Sequence, residues 1–220
     1  MSMIGETRMR KKNNHGGAIV EFALLCPFLG SLIIGTMVYG TQIVKELELQ
    51  QVVRDTASMT ARGTNFNDPA NQMIVSRLGR ELNWPDSGGL TSTSPGVVYV
   101  STIEYLDSTC NGVTPVCKNA GYWVFLRSVA FGNTSLHSSN FGAPAACAPT
   151  CYDTKQTDGS LYSNDTLNNS LARVSNFTYL GTPDTKVDGF QPGQPAYLVE
   201  AAGVTGPWNG GSVSYAFSLF

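Results

Sequence analysis

The feature that most constrains the fold of this chain is an apolar run of 23 residues without a charged side chain, residues 22–44. As a helix with a rise of 1.5 Å per residue, the run is about 35 Å long, enough to cross a hydrocarbon core of about 30 Å. A cleaved secretory signal has an apolar core of only about 7–15 residues, and no small-residue cleavage site follows this run. A helix uncharged on all sides is also unusual in the core of so small a domain. The run therefore predicts a single transmembrane helix.

The segment before this run is basic. Residues 1–16 carry four Lys or Arg side chains between positions 8 and 12 and a single acid. Because basic residues mark the cytoplasmic side of a membrane helix, we predict a cytoplasmic N-terminus and a C-terminus outside. The rest of the chain has a net charge of −5 and no basic stripe, so nucleic acid is not an expected partner.

The predicted membrane helix continues beyond the lipid. Residues 43–62 contain no Pro or Gly and are rich in helix-forming residues, and Gly63 suits a helix C-cap. Apolar residues recur there at roughly helical spacing: Ile43, Leu47, Val53, Ala57 and Ala61. The sequence therefore predicts one helix over 17–62, about 70 Å long. A second helix is predicted over 69–83, with Pro69 in its first turn.

The second half of the chain has the pattern of β-strands. Four runs are rich in β-branched and aromatic residues: 97–106, 122–131, 196–204 and 212–220. The middle runs are separated by about 64 residues rich in Asn, Ser, Gly, Pro and Thr. We predict an α+β fold in which the long helix packs on a C-terminal antiparallel sheet with long loops. The aromatic residues of the last strand are expected to pack on that helix.

The cysteines agree with an exported outer part. Cys26 lies in the apolar run and reads as a small packing residue. The other four, Cys110, Cys117, Cys147 and Cys151, fall in the outer part, where an oxidising environment favours two disulfides. We expect the local pairs 110–117 and 147–151 because short loops close at lower entropic cost. A zinc site made from the same four cysteines is the alternative.

The chain offers little catalytic chemistry. Its two histidines, His15 and His137, form no pair, and no cysteine–histidine dyad or G-x-S-x-G motif occurs. Glu104 and Glu200 lie in predicted strands and could pair across a sheet. No metal site, catalytic residue or cofactor is expected, and we do not expect an enzyme.

The most informative motif is the junction between the leader and the span, HGGAIVEFALLCPF. A lone carboxylate, Glu21, stands at the edge of the uncharged run, and ionisable residues in such places are often functional. The order of Gly16, Glu21, Phe22 and Pro27 resembles the TadE/TadF-type minor pseudopilins of tight-adherence (Flp) pili, which are type IV pilin-like proteins. The downstream segment QQVVRDTASMTARG is similar to the helix that follows the membrane in that family, so the resemblance covers residues 16–63.

The resemblance implies processing and assembly. A prepilin peptidase would cut between Gly16 and Gly17 on the cytoplasmic side, which removes the basic leader. Glu21 would then pair with the new α-amino group of its own or a neighbouring subunit, and Phe22 would share in subunit docking. Such pairing is favourable at low dielectric only when both charges are present, and cleavage creates the amine. Pro27 removes a helix hydrogen bond and is expected to kink the span.

The resemblance also implies an organisation and partners. The domains would be a cleaved leader (1–16), a long helix (17–62) with its span at 22–44, and a periplasmic or extracellular α+β domain (63–220). The expected location is the inner membrane, with the C-terminus in the periplasm or within a pilus. The partners would be the prepilin peptidase, the major pilin, other minor pseudopilins and the assembly machinery.

Two functions remain open from the sequence. The first is a minor pseudopilin that takes part in the assembly or priming of a tight-adherence pilus. The alternative is an uncleaved, signal-anchored protein whose outer domain binds a ligand or a cell-surface partner.

Overall fold

The structure is a computed structural model. It describes residues 15–112, 117–142, 144, 156, 158–176, 191–206 and 212–220, and no side chain before Ile19. The chain divides into two compact units, Met1–Thr41 and Gln42–Phe220. The second is named the outer unit, after its predicted location.

The first element is a single helix, α1 (His15–Ala61), of 47 residues. It begins two residues before the predicted start and ends one residue before the predicted end. Gly63 closes it, as predicted, with a φ of +84°. Its N–H donates to the Thr60 carbonyl over 2.9 Å, and the Thr64 N–H donates to the Met59 carbonyl over 3.1 Å. These bonds satisfy carbonyls that the last turn would leave unpaired.

A short helix, α2 (Pro69–Leu78), follows. The Asp68 side chain caps it by accepting a 2.9 Å hydrogen bond from the Ala70 N–H. The predicted helix over 69–83 is wrong in its last part, because α2 stops and a 3-10 turn (Arg80–Leu82) takes its place. The break falls at Gly79, where a Cβ atom would lie 2.3 Å from the Trp84 ring. The glycine therefore makes room for that indole.

The outer unit contains one antiparallel sheet of four strands: β1 (Gly96–Tyr105), β2 (Trp123–Gly132), β3 (Pro195–Val204) and β4 (Val213–Leu219). Their order in the sheet is β2-β1-β3-β4. All four predicted strands are present within about one residue of their predicted bounds. The α+β fold, with a long N-terminal helix and an antiparallel sheet, is confirmed.

One irregularity interrupts the β1–β2 ladder. Thr102 pairs with Arg127 and Ile103 pairs with Phe125, which leaves Leu126 as the extra residue of a bulge. The Leu126 carbonyl instead accepts a 2.9 Å hydrogen bond from the Leu161 N–H. The bulge thus joins the later loop region to β2. That region contains the short helix α3 (Ser163–Asn168) and a 3-10 turn (Ser170–Ala172).

The outer half of α1 belongs to the main hydrophobic core. Its buried face consists of Leu49, Val52, Val53, Thr56, Ala57 and Thr60. Their apolar members cluster with Val98 and Val100 of β1 and with Trp84. The buried threonine hydroxyls at positions 56 and 60 each donate to the carbonyl four residues earlier, so no polar group on this face lacks a partner.

The apolar stripe read from the sequence is thus partly wrong. Val53 and Ala57 are buried, but Ile43 and Leu47 are 57% and 59% exposed. Sequence spacing alone did not reveal that the threonines belong to the buried face, since their hydroxyls are satisfied within the helix.

The expectation that the aromatic residues of the last strand pack on the long helix is also corrected. Ala216 is the β4 residue in the core cluster that contains α1 residues. The aromatic side chains lie against the loop that follows β2: the Tyr215 ring stacks on His137 at 4.9 Å, and the Phe217 ring contacts Phe141 at 5.2 Å. Alternation along the strand places the aromatics on one face and the small residues on the other, and the helix needs the small ones.

Candidate functional site

The start of α1 carries the predicted processing site. Because the helix begins at His15, both Gly16 and Gly17 lie in its first turn. Gly17 and Glu21 are four residues apart, so the Glu21 side chain lies one turn along the helix on the same face as the Gly17 nitrogen. An amine created at Gly17 would have this carboxylate as its nearest acid in the sequence.

Glu21 is the one charged residue between positions 17 and 44. It is exposed, and within the described residues it forms no ion pair. Its neighbour Phe22 is 67% exposed. A lone carboxylate among exposed apolar side chains is costly in lipid unless a cation joins it.

The rest of the span is apolar on its surface. Large side chains stand exposed along its whole length, among them Leu25, Phe28, Leu32, Ile33, Ile34 and Met37. Among the described helices α1 is the one long and apolar enough to cross a membrane, and 0% of its most apolar stretch is buried. An uncovered helix of this kind is the candidate single-pass anchor. Its orientation stays a prediction from the basic leader.

The proline and the hydroxyl residues of the span all lie within the continuous helix. Pro27 lies inside α1, which continues through it. Ser31, Thr36 and Thr41 each donate a 2.9 Å hydrogen bond to the carbonyl three residues earlier, so their hydroxyls need no other partner in lipid.

A second polar site, buried in the outer unit, was missed by sequence reasoning. Glu200 of β3 is 1% exposed. Its carboxylate accepts hydrogen bonds from the Asn140 N–H at 2.9 Å, the Tyr215 hydroxyl at 2.7 Å and the Ser139 hydroxyl. The Tyr99 hydroxyl donates nearby to the His137 carbonyl at 2.8 Å. The cluster fastens the loop after β2 to the sheet.

Burial dominates the electrostatics of this cluster. Desolvation raises the pKa of Glu200, and the hydrogen bonds from Ser139, Tyr215 and Asn140 offset part of that effect. Burial, together with the nearby Glu200 charge, raises the pKa of Tyr99 to about 12. The sequence signal was an acid at the centre of an apolar strand, YLVEAAGV.

The suggestion that Glu104 and Glu200 pair across the sheet is wrong. In the register of β1 and β3, Glu200 lies opposite Tyr99 and Glu104 opposite Pro195. Glu104 instead contacts the Asn111 side chain. The Glu104 side chain thus bonds to the loop after β1, and the Glu200 side chain bonds to the loop after β2.

The first expected disulfide is present, between Cys110 and Cys117. These two cysteines are therefore not available as zinc ligands. The second pair, Cys147 and Cys151, lies outside the described residues. Cys26 is a free, exposed cysteine in the span. No cluster of three or more metal-ligating side chains occurs in the described part of the chain.

Comparison with known families gives one match: residues 16–58 match the family of TadE-like proteins. The resemblance read from the motif is confirmed for this segment, which is TadE-like and covers less than half of the chain. No curated protein and no solved structure matches the chain.

Proposed function

We propose, from the TadE-like character of residues 16–58, that this chain is a minor pseudopilin of a tight-adherence pilus. The family match supports association with such a pilus system. The observation that carries the finer proposal is the lone Glu21 one helical turn after Gly17, at the edge of an exposed apolar span. In this function the subunit takes part in assembling or priming the pilus after a prepilin peptidase removes residues 1–16.

Cleavage creates the positively charged partner that the Glu21 carboxylate lacks in the uncleaved chain. Before cleavage the Gly17 nitrogen is a neutral amide in the first turn of α1. After cleavage it is an α-ammonium group, and the i, i+4 spacing lets the Glu21 carboxylate neutralise it within the subunit or between neighbours. Loss of the four basic leader residues also removes the charges that hold this end in the cytoplasm.

The partners follow from the same proposal. The prepilin peptidase would act on the Gly16–Gly17 bond, and the exposed Phe22 ring would pack on the helices of the major pilin or other minor pseudopilins. The outer unit would stand in the periplasm or on the pilus surface. The proposal assigns no enzymatic activity to this chain.

Processing is tested by expressing the full chain with an active prepilin peptidase and with an inactive one. Intact-mass spectrometry then reads the N-terminus of the purified protein. We expect a mature chain beginning at Gly17 only with the active enzyme. A chain that still begins at Met1 beside an active peptidase, shown to cleave the major pilin in the same cells, refutes the processing claim.

Assembly is tested separately with Glu21→Gln, which keeps the side chain's size and removes its charge. The matched control is Glu81→Gln, an exposed acid in the outer unit. We expect Glu21→Gln to be processed and inserted normally but to lower the number of pili per cell, while Glu81→Gln leaves it unchanged. Normal piliation with Glu21→Gln would favour the signal-anchored binding protein instead.

A further inference from the structure

The two outer edges of the sheet are treated differently by the rest of the chain. The β2 edge is covered: the Ser128 N–H donates to the Gly159 carbonyl at 3.0 Å, and the Val174 N–H donates to the Trp123 carbonyl at 2.9 Å. On the β4 edge, no described segment pairs with the outward backbone groups of Phe217 and Leu219.

The hydrogen-bond pattern identifies which groups of β4 face outward. Phe220 and Tyr197 exchange two backbone hydrogen bonds, of 2.8 and 3.0 Å, so residues at even positions of β4 bond to β3. The N–H and C=O groups of Phe217 and Leu219 therefore point away from the sheet. Neither residue has a backbone partner on that side among the described residues.

The sequence of β4 also lacks the usual protection of an edge strand. Such strands commonly carry Lys, Pro, an inward charge or a bulge, which prevent pairing with other chains. The strand reads VSYAFSL, and its ladder with β3 is regular. Phe217 remains 40% exposed on this edge. The edge is thus competent to accept another strand.

A groove of about 400 Å³ runs beside this edge, and its lining includes Gln50, Arg54, Asn140, Phe141 and Phe217. The Arg54 side chain is exposed, and its guanidinium makes no ion pair or hydrogen bond within the described residues. Glu46, eight positions earlier on α1, accepts a 3.2 Å hydrogen bond from the Ser214 hydroxyl at the other end of β4. The helix side of the edge therefore presents a cation near Phe217 and an anion near Ser214.

We propose that the outer edge of β4 binds an extended segment of another protein as a fifth strand, by β-augmentation. The segment pairs antiparallel with β4. It places an acidic side chain against Arg54 and, four residues later, a basic one against Glu46. The side chains on the other face of the bound segment are apolar and pack on Phe217. This proposal does not depend on the proposed pilus function, because it uses only the outer unit.

The spacing supports this charge pattern. Eight residues of helix separate Arg54 from Glu46 by about 12 Å, and four residues of a strand cover about 13 Å. Residues four apart in a strand share a face, so both charged side chains can reach α1 together. Antiparallel pairing, which is slightly more favourable than parallel, puts the acid first in the segment because Arg54 lies near the C-terminal part of β4.

A second copy of this chain fits the edge less well. The strand it would offer, its own β4, contains no charged side chain and so gives neither Arg54 nor Glu46 an oppositely charged partner. Charge complementarity thus favours a different protein as the occupant.

The test uses the full chain in neutral detergent micelles and a fluorescent seven-residue peptide, measured by fluorescence anisotropy. The peptide alternates valine and threonine, with aspartate at its second position and lysine at its sixth. One control peptide exchanges the two charges, and another carries N-methyl groups on the edge that would pair. We expect the exchanged peptide to bind about threefold to tenfold more weakly, as for two surface ion pairs. The N-methylated peptide should bind at least about tenfold more weakly, since it loses several backbone hydrogen bonds.

Charge reversal on the protein gives the sharper test. Arg54→Glu should remove or invert the preference between the two charged peptides, while Arg62→Glu, an exposed reversal at the end of α1, should leave it unchanged. Both side chains are exposed, Arg54 on the surface of α1 and Arg62 just after its end, so neither reversal disturbs the core. Equal binding of the N-methylated peptide, or no binding of any peptide, would overturn the proposal. Self-association in analytical ultracentrifugation that Phe217→Pro abolishes, with near-UV circular dichroism retained, would identify a second copy as the occupant and refute the assigned partner.

Discussion

The Tyr215 hydroxyl reaches diagonally across the β3–β4 pair to donate a 2.7 Å hydrogen bond to the Glu200 carboxylate. The residue directly opposite Glu200 is Phe217, so Tyr215 is the neighbour two positions away on the same face. The Asn140 N–H donates to the same carboxylate oxygen and the Ser139 hydroxyl to the other one, so the carboxylate ties β3, β4 and the loop after β2 together. No cation faces it among the described residues, and its donors are all neutral.

Glu200 makes the stability of the outer unit depend on pH. Its pKa is raised by burial above its ordinary value of 4.5, so the folded state binds the proton more tightly than the unfolded state does. The stabilisation from the protonated form is therefore complete below about pH 4.5 and is lost as pH rises through the folded-state pKa. Urea unfolding followed by tryptophan fluorescence, in micelles from pH 4 to 8, measures this trend.

The control for that trend is Glu200→Gln, which cannot titrate. Asp107 and Asp158 act in the opposite direction, because hydrogen bonds from Asn111 and Ser160 lower the pKa values of their carboxyl groups. Their contribution is lost as pH falls below the ordinary value of 3.8, and it is common to both proteins. The difference between wild type and Glu200→Gln should thus favour wild type more at low pH. A difference that is flat over pH 4 to 8 contradicts the assignment.

Tyr215→Phe removes one donor to the buried carboxylate and keeps the ring. We expect a loss of about 0.5–3 kcal/mol in the free energy of unfolding, the range that covers hydrogen bonds to neutral and to charged groups. Tyr162→Phe is the matched control, since Tyr162 is 46% exposed and should change stability by less than about 0.5 kcal/mol. Equal effects of the two substitutions would show that the hydroxyl contributes nothing to Glu200.

The indole of Trp84 leaves no room at Gly96. A Cβ atom on Gly96 would lie 2.3 Å from the indole nitrogen, in the middle of the packed core. Gly96→Ala should therefore destabilise the outer unit by about 1–3 kcal/mol through overpacking. Gly40→Ala is the control, because a Cβ there has nothing within 4 Å. Differential scanning calorimetry of both variants measures the effect, and unchanged stability of Gly96→Ala would refute this packing.

The disulfide between Cys110 and Cys117 closes a loop with a sequence separation of 7. Replacing both cysteines with alanine should cost on the order of 2–3 kcal/mol, by the loss of loop-closure entropy in the unfolded chain. Thermal unfolding with and without a reducing agent checks this, and the double variant should no longer respond to reduction at this loop. A matched double replacement of Cys147 and Cys151 should leave the 110–117 bond intact in peptide mapping.

Local patterns predicted the elements well. The uncharged run, the helix-forming residues after it and the alternating β runs each act through neighbours close in the sequence. The ends of α1 and the four strands therefore lie within about two residues of their predicted positions. The prediction of a helix over 69–83 is wrong after Leu78, where the Trp84 ring lies against Gly79; the place of that ring in the main core depends on α1 and β1, which are distant in the sequence.

The sequence by itself determined the apolar helix, its basic leader, the Glu21 motif within residues 16–58, which match the family of TadE-like proteins, and the α+β class. Only the tertiary structure decided that Glu200 is buried among neutral donors, and that β4 lies at one edge of the described sheet with its aromatics turned to the loop after β2. Periodicity along the chain fixes which side chains share a face. Which face is covered depends on strand order and register, and these are set by contacts between residues far apart in the sequence.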